Sequence, residues 1–198
     1  LLKRYPDLEI QAVAADYTDG LELLSGKSTG TKLIVWLGSS IGNLDRKEAS
    51  EFLNNVRRTM EPEDNLLIGI DLRNSKSVLE RAYDDAQGIT ARFNMNVLHR
   101  INNELGGNFD EKDFAHRATY NEEGGFVEMR LVCGREHRVR IDAIDLEVLF
   151  REGETILTET SFKYSLDEIR DLLANVGLKQ DRQWLDSQHR FSLTLAST

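Results

Sequence analysis

One short segment constrains the possible fold of this chain more than any other. Residues 33–37, Leu-Ile-Val-Trp-Leu, are all apolar and include β-branched and aromatic side chains. Such a run predicts a short strand that is buried on both faces, as in a parallel sheet. The run stops at Gly38-Ser-Ser-Ile-Gly-Asn43, and a helical pattern follows. Because open α/β sheets bind ligands where such strands end, the segment predicts an α/β fold with a ligand site at residues 38–43.

The alternative for residues 38–43 is an ordinary strand-to-helix turn in which Asp45 caps the helix. Gly38 and Gly42 favour the ligand site, because residues without a side chain let the backbone come close to a ligand. Asn43 adds an amide group that both donates and accepts hydrogen bonds.

The segment before this strand predicts another strand. Residues 8–16 are rich in apolar side chains and end in Asp16, which is followed by Tyr17. At the end of a buried strand, an acid is suited to accept hydrogen bonds from a ligand, and an aromatic ring is suited to stack on one. In the alternative, Asp16 or Asp19 simply caps a short helix.

The alternation of strand and helix patterns predicts a parallel, doubly wound sheet. Residues 47–60 have helical spacing, and residues 65–72 form a third apolar run. Near the end, residues 167–176 predict a helix, and residues 179–185 and 191–196 predict the two strands of a hairpin. This closing pattern resembles the end of the class I methyltransferase sheet, which makes that fold the leading α/β candidate.

The middle of the chain has a different pattern. Two helical patterns end at Gly106-Gly107, and strand-like patterns follow between residues 125 and 150. We therefore expect an inserted α+β substrate-binding lobe at residues 78–155. The methyltransferase-like core would then consist of residues 1–77 and 156–198.

Composition narrows the possible partners. The formal net charge of −9 argues against a nucleic-acid partner, which needs a basic face. The single cysteine, Cys133, excludes an internal disulfide and a zinc site built from several thiolates. No apolar run has the length of a membrane span, so we expect no membrane partner and a cytoplasmic location. The four histidines lie at unrelated spacings, and we therefore predict no metal site.

Two further segments carry expectations. The chain opens on Leu1 rather than Met, and we expect it to be a piece of a larger fold. Residues 25–30 predict a loop, and its Gly-Lys-Ser is not a phosphate-binding loop, because the spaced upstream glycine is absent and no helix follows.

Three motifs together point to a family. They are Leu37-Gly-Ser-Ser-Ile-Gly-Asn43, Ala82-Tyr-Asp-Asp-Ala86 and Leu157-Thr-Glu-Thr-Ser-Phe-Lys-Tyr164. With Phe93-Asn-Met-Asn96 and Phe126-Val-Glu-Met129, they resemble the L-histidine Nα-methyltransferases of ergothioneine biosynthesis over nearly the whole chain. The resemblance implies a class I methyltransferase fold with an inserted substrate-binding domain. It also implies three methylations of the histidine α-amine by S-adenosyl-L-methionine, which give the betaine hercynine.

The resemblance assigns seven residues to the substrate: Asn43, Tyr83, Glu159, Ser161, Met129, Gly38 and Ser40. Asn43 and Tyr83 look like the pair that holds the amino-acid end. Glu159 and Ser161 look like the pair that reads the imidazole.

The other assignments concern the pocket walls and the cofactor. Met129 looks like a residue lining the imidazole pocket, and Gly38 and Ser40 belong to the loop between substrate and cofactor. Asp16 and Tyr17 look like the pair that contacts the adenine side of the cofactor. No residue is assigned as a general base, since a partly desolvated pocket lowers an amine pKa by itself.

The family's glycine-rich cofactor loop, its ribose-binding acid and a further tyrosine precede the matched segment. Two other functions stay open. One is a paralogous N-methyltransferase for another aromatic amino acid, such as a tryptophan derivative. The other is a catalytically silent binding module of the same fold.

Overall fold

The computed structural model describes residues 3–24 and 30–198 of the chain. The predicted loop at residues 25–30 lies outside the described residues, except for Gly30. The helices are α1 (Tyr17–Leu24), α2 (Arg46–Arg58), α3 (Lys76–Tyr83), α4 (Ile89–Leu105) and α5 (Leu166–Asn175). The strands are β1 (Leu33–Trp36), β2 (Asn65–Asp71), β3 (Phe114–Asn121), β4 (Phe126–Cys133), β5 (His137–Ile141), β6 (Leu146–Phe150), β7 (Thr155–Phe162), β8 (Lys179–Leu185) and β9 (Phe191–Ser197).

The main sheet has the strand order β1-β2-β9-β8. Strands β1 and β2 are parallel, as predicted, whereas β9 runs antiparallel to both β2 and β8. The described sheet is therefore mixed rather than purely parallel, because its last two strands form a hairpin. That hairpin was predicted from the sequence.

Helices α2 and α5 pack on the main sheet through apolar stripes at helical spacing. Their buried side chains include Leu53 and Val56 of α2 and Ile169 and Leu173 of α5. Both helices begin with a capping box, in which the N-cap side chain and the glutamate three residues later satisfy each other's amides. Asp45 is the N-cap of α2, as in the alternative to a ligand site at residues 38–43, so the end of the β1 loop is fixed at that residue.

The predicted strand at residues 8–16 is wrong. These residues form no strand, and most are exposed. Strand β1 pairs with β2 and is the edge of the described sheet, and none of the described residues pairs along its other side. An apolar run gains a strand's hydrogen bonds only where a partner edge lies beside it.

A second, antiparallel sheet has the order β3-β4-β7, and β5 pairs with β6 as a separate hairpin. Strand β3 was not predicted, because His116 interrupts the apolar residues of its inward face. Strand β7 pairs along β4, so residues 155–162 belong to this second sheet and not to the main sheet. The division into a core and an inserted lobe stays a proposal. The predicted end of the lobe at residue 155 would then move to the end of β7.

The two sheets meet at the end of β7. Leu72, just after β2, forms a parallel bridge with Tyr164, and the amide of Tyr164 donates to the carbonyl oxygen of Asp71 at 3.1 Å. In the part of the chain that the structure describes, no helix is both long and apolar enough to cross a membrane.

Candidate functional site

The loop after β1 is held by its own serines. Gly38 and Ser39 both have positive φ values, 74° and 59°. The hydroxyl of Ser39 accepts a 2.9 Å hydrogen bond from the amide of Asp71, which ties the loop to the end of β2. Ser40 donates to the carbonyl oxygen of Leu37 at 3.1 Å. The loop is thus a preformed turn at the carboxyl ends of β1 and β2.

Gly42 lets this loop touch β7. A Cβ atom at this position would lie 2.7 Å from the carbonyl oxygen of Phe162 and 3.5 Å from the hydroxyl oxygen of Ser161. The first distance is too short for any side chain, so glycine is required for the close approach. Asn43, the next residue, is exposed at the rim of this contact.

Strand β7 presents Glu159 and Ser161 on one face, because residues two apart in a strand point to the same side. The register with β4 pairs Met129 with Glu159 and Arg130 with Leu157, so Thr158 is the extra residue of a bulge. The Thr158 hydroxyl donates to the carbonyl oxygen of Met129 at 2.9 Å. The bulge places the Glu159 and Met129 side chains beside each other on one face of the sheet.

Glu159 and Met129 line a cavity of about 540 Å³ between α4 and the second sheet. Helix α4 contributes an apolar wall, including Phe93 and Val97, and the polar side chain of Asn94. Arg100 and Glu104 of α4 also line the cavity, so Glu159 is the acid on its sheet side, beside Met129. An acid beside apolar side chains is suited to accept a hydrogen bond from a ring N–H group.

A buried lysine joins Ser161 to Tyr83. The ammonium of Lys163 donates to Asp71 Oδ2 at 2.8 Å, to the Tyr83 hydroxyl at 2.7 Å and to the Ser161 hydroxyl at 3.0 Å. Tyr83 in turn donates to Ser161 at 2.9 Å. Burial alone would lower the pKa of Lys163, but its interactions with Tyr83 and Asp71 raise it above the usual value. Lys163 therefore carries its charge at neutral pH.

His116 holds the backbone of Tyr83. Its Nε2 lies 2.8 Å from the carbonyl oxygen of Tyr83, and its Nδ1 lies 2.9 Å from the side-chain nitrogen of Asn94. A carbonyl oxygen only accepts, so Nε2 carries the proton and Nδ1 accepts from the amide of Asn94. The last residue of α3 is thus tied to both β3 and α4.

On the other side of the β1 loop, Asp16 Oδ1 accepts a 3.0 Å hydrogen bond from the amide of Asp19. Asp16 therefore caps α1, as one of the two sequence-based alternatives predicted. Tyr17 is 65% exposed. Its ring contacts the ring of Trp36 edge-on, with 4.5 Å between the ring centroids, at the carboxyl end of β1.

A comparison with known families identifies the family of this chain. The model described as "Histidine-specific methyltransferase, SAM-dependent" matches residues 1–198. The chain belongs to this family. The family resemblance expected from the sequence is thereby confirmed, together with the α/β methyltransferase fold class.

Curated relatives agree with the family. The histidine N-alpha-methyltransferase of Mycolicibacterium smegmatis is 43% identical over 192 residues, which are 97% of this chain and 59% of the relative. The ergothioneine biosynthesis protein 1 of Schizosaccharomyces pombe is 36% identical over 147 residues, 74% of this chain and 19% of the relative. The chain thus spans about three fifths of its bacterial relative.

Among solved structures, an S-adenosylmethionine-dependent methyltransferase from Clostridium acetobutylicum aligns with 98% of this chain and 67% of its own. The two are 12% identical, with a TM-score of 0.46.

Members of this histidine-specific methyltransferase family depend on S-adenosylmethionine, and the residues beside the β1 loop fit one side of that molecule. Gly38 offers backbone without a side chain, Tyr17 offers an exposed ring face, and Asp16 offers a carboxylate beside it. A nucleoside needs a ring surface and polar groups at its edge. The roles predicted for Asp16 and Tyr17 stay predictions.

The site also contains residues that the sequence-based reading of the methyltransferase motifs missed. They are Lys163, Asp71 and His116. Their partners are distant in sequence, and strand alternation alone does not show them. Among residues 3–24 and 30–198, no group of three or more His, Cys, Asp or Glu residues is placed to hold a metal ion.

Proposed function

We propose that the protein containing this chain methylates the α-amine of L-histidine with S-adenosyl-L-methionine and gives N,N,N-trimethylhistidine, the betaine hercynine of ergothioneine biosynthesis. The observation that carries this proposal is the shared face of β7. Glu159 lies beside Met129 in the cavity, and Ser161 lies two residues further on, bonded to Tyr83. The family and the named relatives support the same substrate.

In this proposal, the two ends of histidine are held by different groups. Glu159 accepts a hydrogen bond from one imidazole nitrogen, and Ser161 bonds the other. Tyr83 and Asn43 hold the amino-acid end at the rim, where the loop approaches β7. Both are neutral hydrogen-bonding groups, so they orient the amine without a charge that would favour its protonated form.

The bound S-adenosylmethionine supplies an electrophilic methyl group on a sulfonium. The task of the protein is to hold the amine lone pair about 3 Å from that methyl carbon, in line with the sulfur. The Gly42 contact serves this task, because it fixes the loop between substrate and cofactor against the strand that holds the ring. The substrate's α-ammonium must first lose its proton, and a partly desolvated site makes that easier.

The test uses the natural full-length protein with S-adenosylmethionine and either L-histidine or L-tryptophan. We expect mono-, di- and trimethylated histidine in the mass spectrum, with the methyl groups on the α-nitrogen. A higher specificity constant for tryptophan would favour the paralogue. Binding of S-adenosylhomocysteine without methylation of either amino acid would favour the silent module. The cytoplasmic location and the absence of nucleic-acid and membrane partners stay predictions.

A further inference from the structure

The buried ammonium of Lys163 has a consequence for the neighbouring hydroxyl groups. Lys163 is fully buried, and both its backbone amide and its backbone carbonyl oxygen are hydrogen-bonded. Its amide donates to the carbonyl oxygen of Gly125 at 2.7 Å, and its carbonyl oxygen accepts from Arg46 at 2.8 Å. The ammonium therefore has little freedom to leave its three partners.

Counting donors and acceptors defines what these groups can offer a ligand. An ammonium has three N–H donors and no acceptor, and Lys163 uses all three on Asp71, Tyr83 and Ser161. The Tyr83 hydroxyl accepts from Lys163 and gives its one proton to Ser161. The Ser161 oxygen then accepts from both Lys163 and Tyr83, which occupies both of its lone pairs.

One proton and one lone pair are left over. The proton is that of Ser161, for which no acceptor lies among the described residues. The lone pair is the second one on Tyr83. A phenol is a stronger hydrogen-bond donor than an aliphatic alcohol, and donation from an ammonium strengthens it further, so the direction from Tyr83 to Ser161 is favoured.

We propose that Lys163 is a positioning residue that makes Ser161 a hydrogen-bond donor toward the substrate ring. The inference rests on the proposed function, in which Glu159 and Ser161 hold the imidazole. Glu159 then accepts the ring N–H, and Ser161 donates to the ring nitrogen that carries a lone pair. One acceptor and one donor together select the neutral imidazole in a single tautomer.

This role explains why a lysine is buried at the site. A buried charge is costly unless it is paired and hydrogen-bonded, and a structural role would be met by an apolar side chain. Lys32 also pairs with an aspartate, Asp64, at 2.9 Å, but its side chain is partly exposed and it lies at the other end of the main sheet. Lys32 is the matched control, because it forms a lysine–aspartate ion pair far from the β1 loop.

The experiment compares two ligands that share the amino-acid end. L-Histidine has a ring nitrogen lone pair, whereas L-3-(2-thienyl)alanine has a ring of similar size without one. Their dissociation constants are measured by calorimetry on the natural full-length protein, at a pH where the imidazole is neutral. Because effects on the amino-acid end are common to both ligands, the ratio of the two constants isolates ring recognition.

We expect wild type to prefer histidine, and Lys163→Met to reduce the preference about 10-fold or more, as Ser161→Ala does. In the Ser161→Ala background, Lys163→Met should change the ratio less than about threefold, because Lys163 acts through that hydroxyl. Lys32→Met should lower the melting temperature and leave the ratio unchanged. Tyr83→Phe removes the other donor to Ser161 and keeps the buried ion pair. This variant should also reduce the preference for histidine.

Each opposite outcome has a defined meaning. If wild type binds histidine selectively and both Lys163→Met and Tyr83→Phe keep the wild-type ratio, the inference is wrong and the proposed function stands. An equal loss of both ligands in Lys163→Met would show a merely structural lysine. If wild type does not prefer histidine, the proposed function fails, and the inference fails with it. Should Lys163→Met not fold, Tyr83→Phe alone decides between these outcomes.

Discussion

Two lysine–aspartate pairs flank strand β2, and they differ in which partner is buried. At the amino end, the carboxylate of Asp64 is buried and lies 2.9 Å from Lys32, whose side chain is partly exposed. At the carboxyl end, the ammonium of Lys163 is buried and lies 2.8 Å from Asp71, whose side chain is 38% exposed. The buried member of the pair is therefore the aspartate at one end of β2 and the lysine at the other.

The other partners of each buried group explain the inversion. Asp64 accepts hydrogen bonds from the backbone amides of Lys32 and Glu61, so its charge is satisfied by the fold itself. Lys163 instead donates to the hydroxyls of Tyr83 and Ser161, two residues of the proposed substrate site. The carboxylate of Asp64 is held by backbone amides and stabilises the fold, whereas in our proposal the ammonium of Lys163 sets what the two hydroxyls offer a ligand.

The largest effect should come from the ring-binding acid. Glu159→Ala should lower kcat/KM for histidine, with a loss of roughly 2–4 kcal/mol in transition-state binding free energy. The reason is that a charged acceptor is removed from a desolvated cavity. Preference should shift toward larger aromatic amino acids, more so when Met129 is also shortened to Val. Initial rates with histidine and tryptophan measure the change, and an unchanged ratio of specificity constants would mean that Glu159 does not read the ring.

A smaller effect is expected at the rim of the site. Asn43→Ala should weaken histidine binding by roughly 1.5–3 kcal/mol, because a hydrogen bond to a charged group of the amino acid is lost. The affinity for S-adenosylhomocysteine should change little. Calorimetry with each ligand separates the two, and equal losses would assign Asn43 to the cofactor or the fold.

At the amino end of β2, the expected effect is on stability and not on binding. The two carboxylate oxygens of Asp64 accept from different amides. Asp64→Asn replaces one of these oxygens by a donor, so an amide loses its acceptor. The midpoint of thermal unfolding should fall by roughly 5 °C at neutral pH, with histidine affinity preserved. A stable variant with lost affinity would contradict the contrast between the two ends.

The pH dependence sharpens this prediction. Burial would raise the pKa of Asp64, but the amides of Glu61 and Lys32 and the Lys32 ammonium lower it from 3.8 to about 2. A lowered pKa contributes stability above the unfolded value and loses it as the pH falls through the folded one. The difference in melting temperature between wild type and Asp64→Asn should therefore shrink as the pH falls from about 4 to about 2. A constant difference would contradict the ionised state of Asp64.

Local sequence patterns predicted the elements whose partners are close in the chain. The β1 strand and its glycine loop, the Asp45 cap and the shared face of Glu159 and Ser161 follow from neighbouring residues and strand alternation. They can be predicted without knowing which distant segments pack against them. The predicted burial of β1 on both faces is wrong, because β1 is the edge of the described sheet and Leu33 and Val35 are exposed.

The errors lie where long-range pairing decides. Residues 8–16 have an apolar pattern but no partner strand among the described residues. Strand β3 carries His116 at a half-buried position, where the ring bonds residues of α3 and α4. Lys163 looks like a surface lysine in the sequence, because its partners Asp71 and Tyr83 lie 92 and 80 residues away.

The Gly42 contact has a consequence for how the protein tolerates change. The β1 loop and β7 are joined there by backbone against backbone, so no side-chain interaction exists to be lost when residue 42 is substituted. Each added atom would instead push β7 away from the β1 loop. In the proposed function, β7 holds the substrate ring and the loop lies beside the cofactor, so a larger residue at position 42 should misalign the amine and the methyl group.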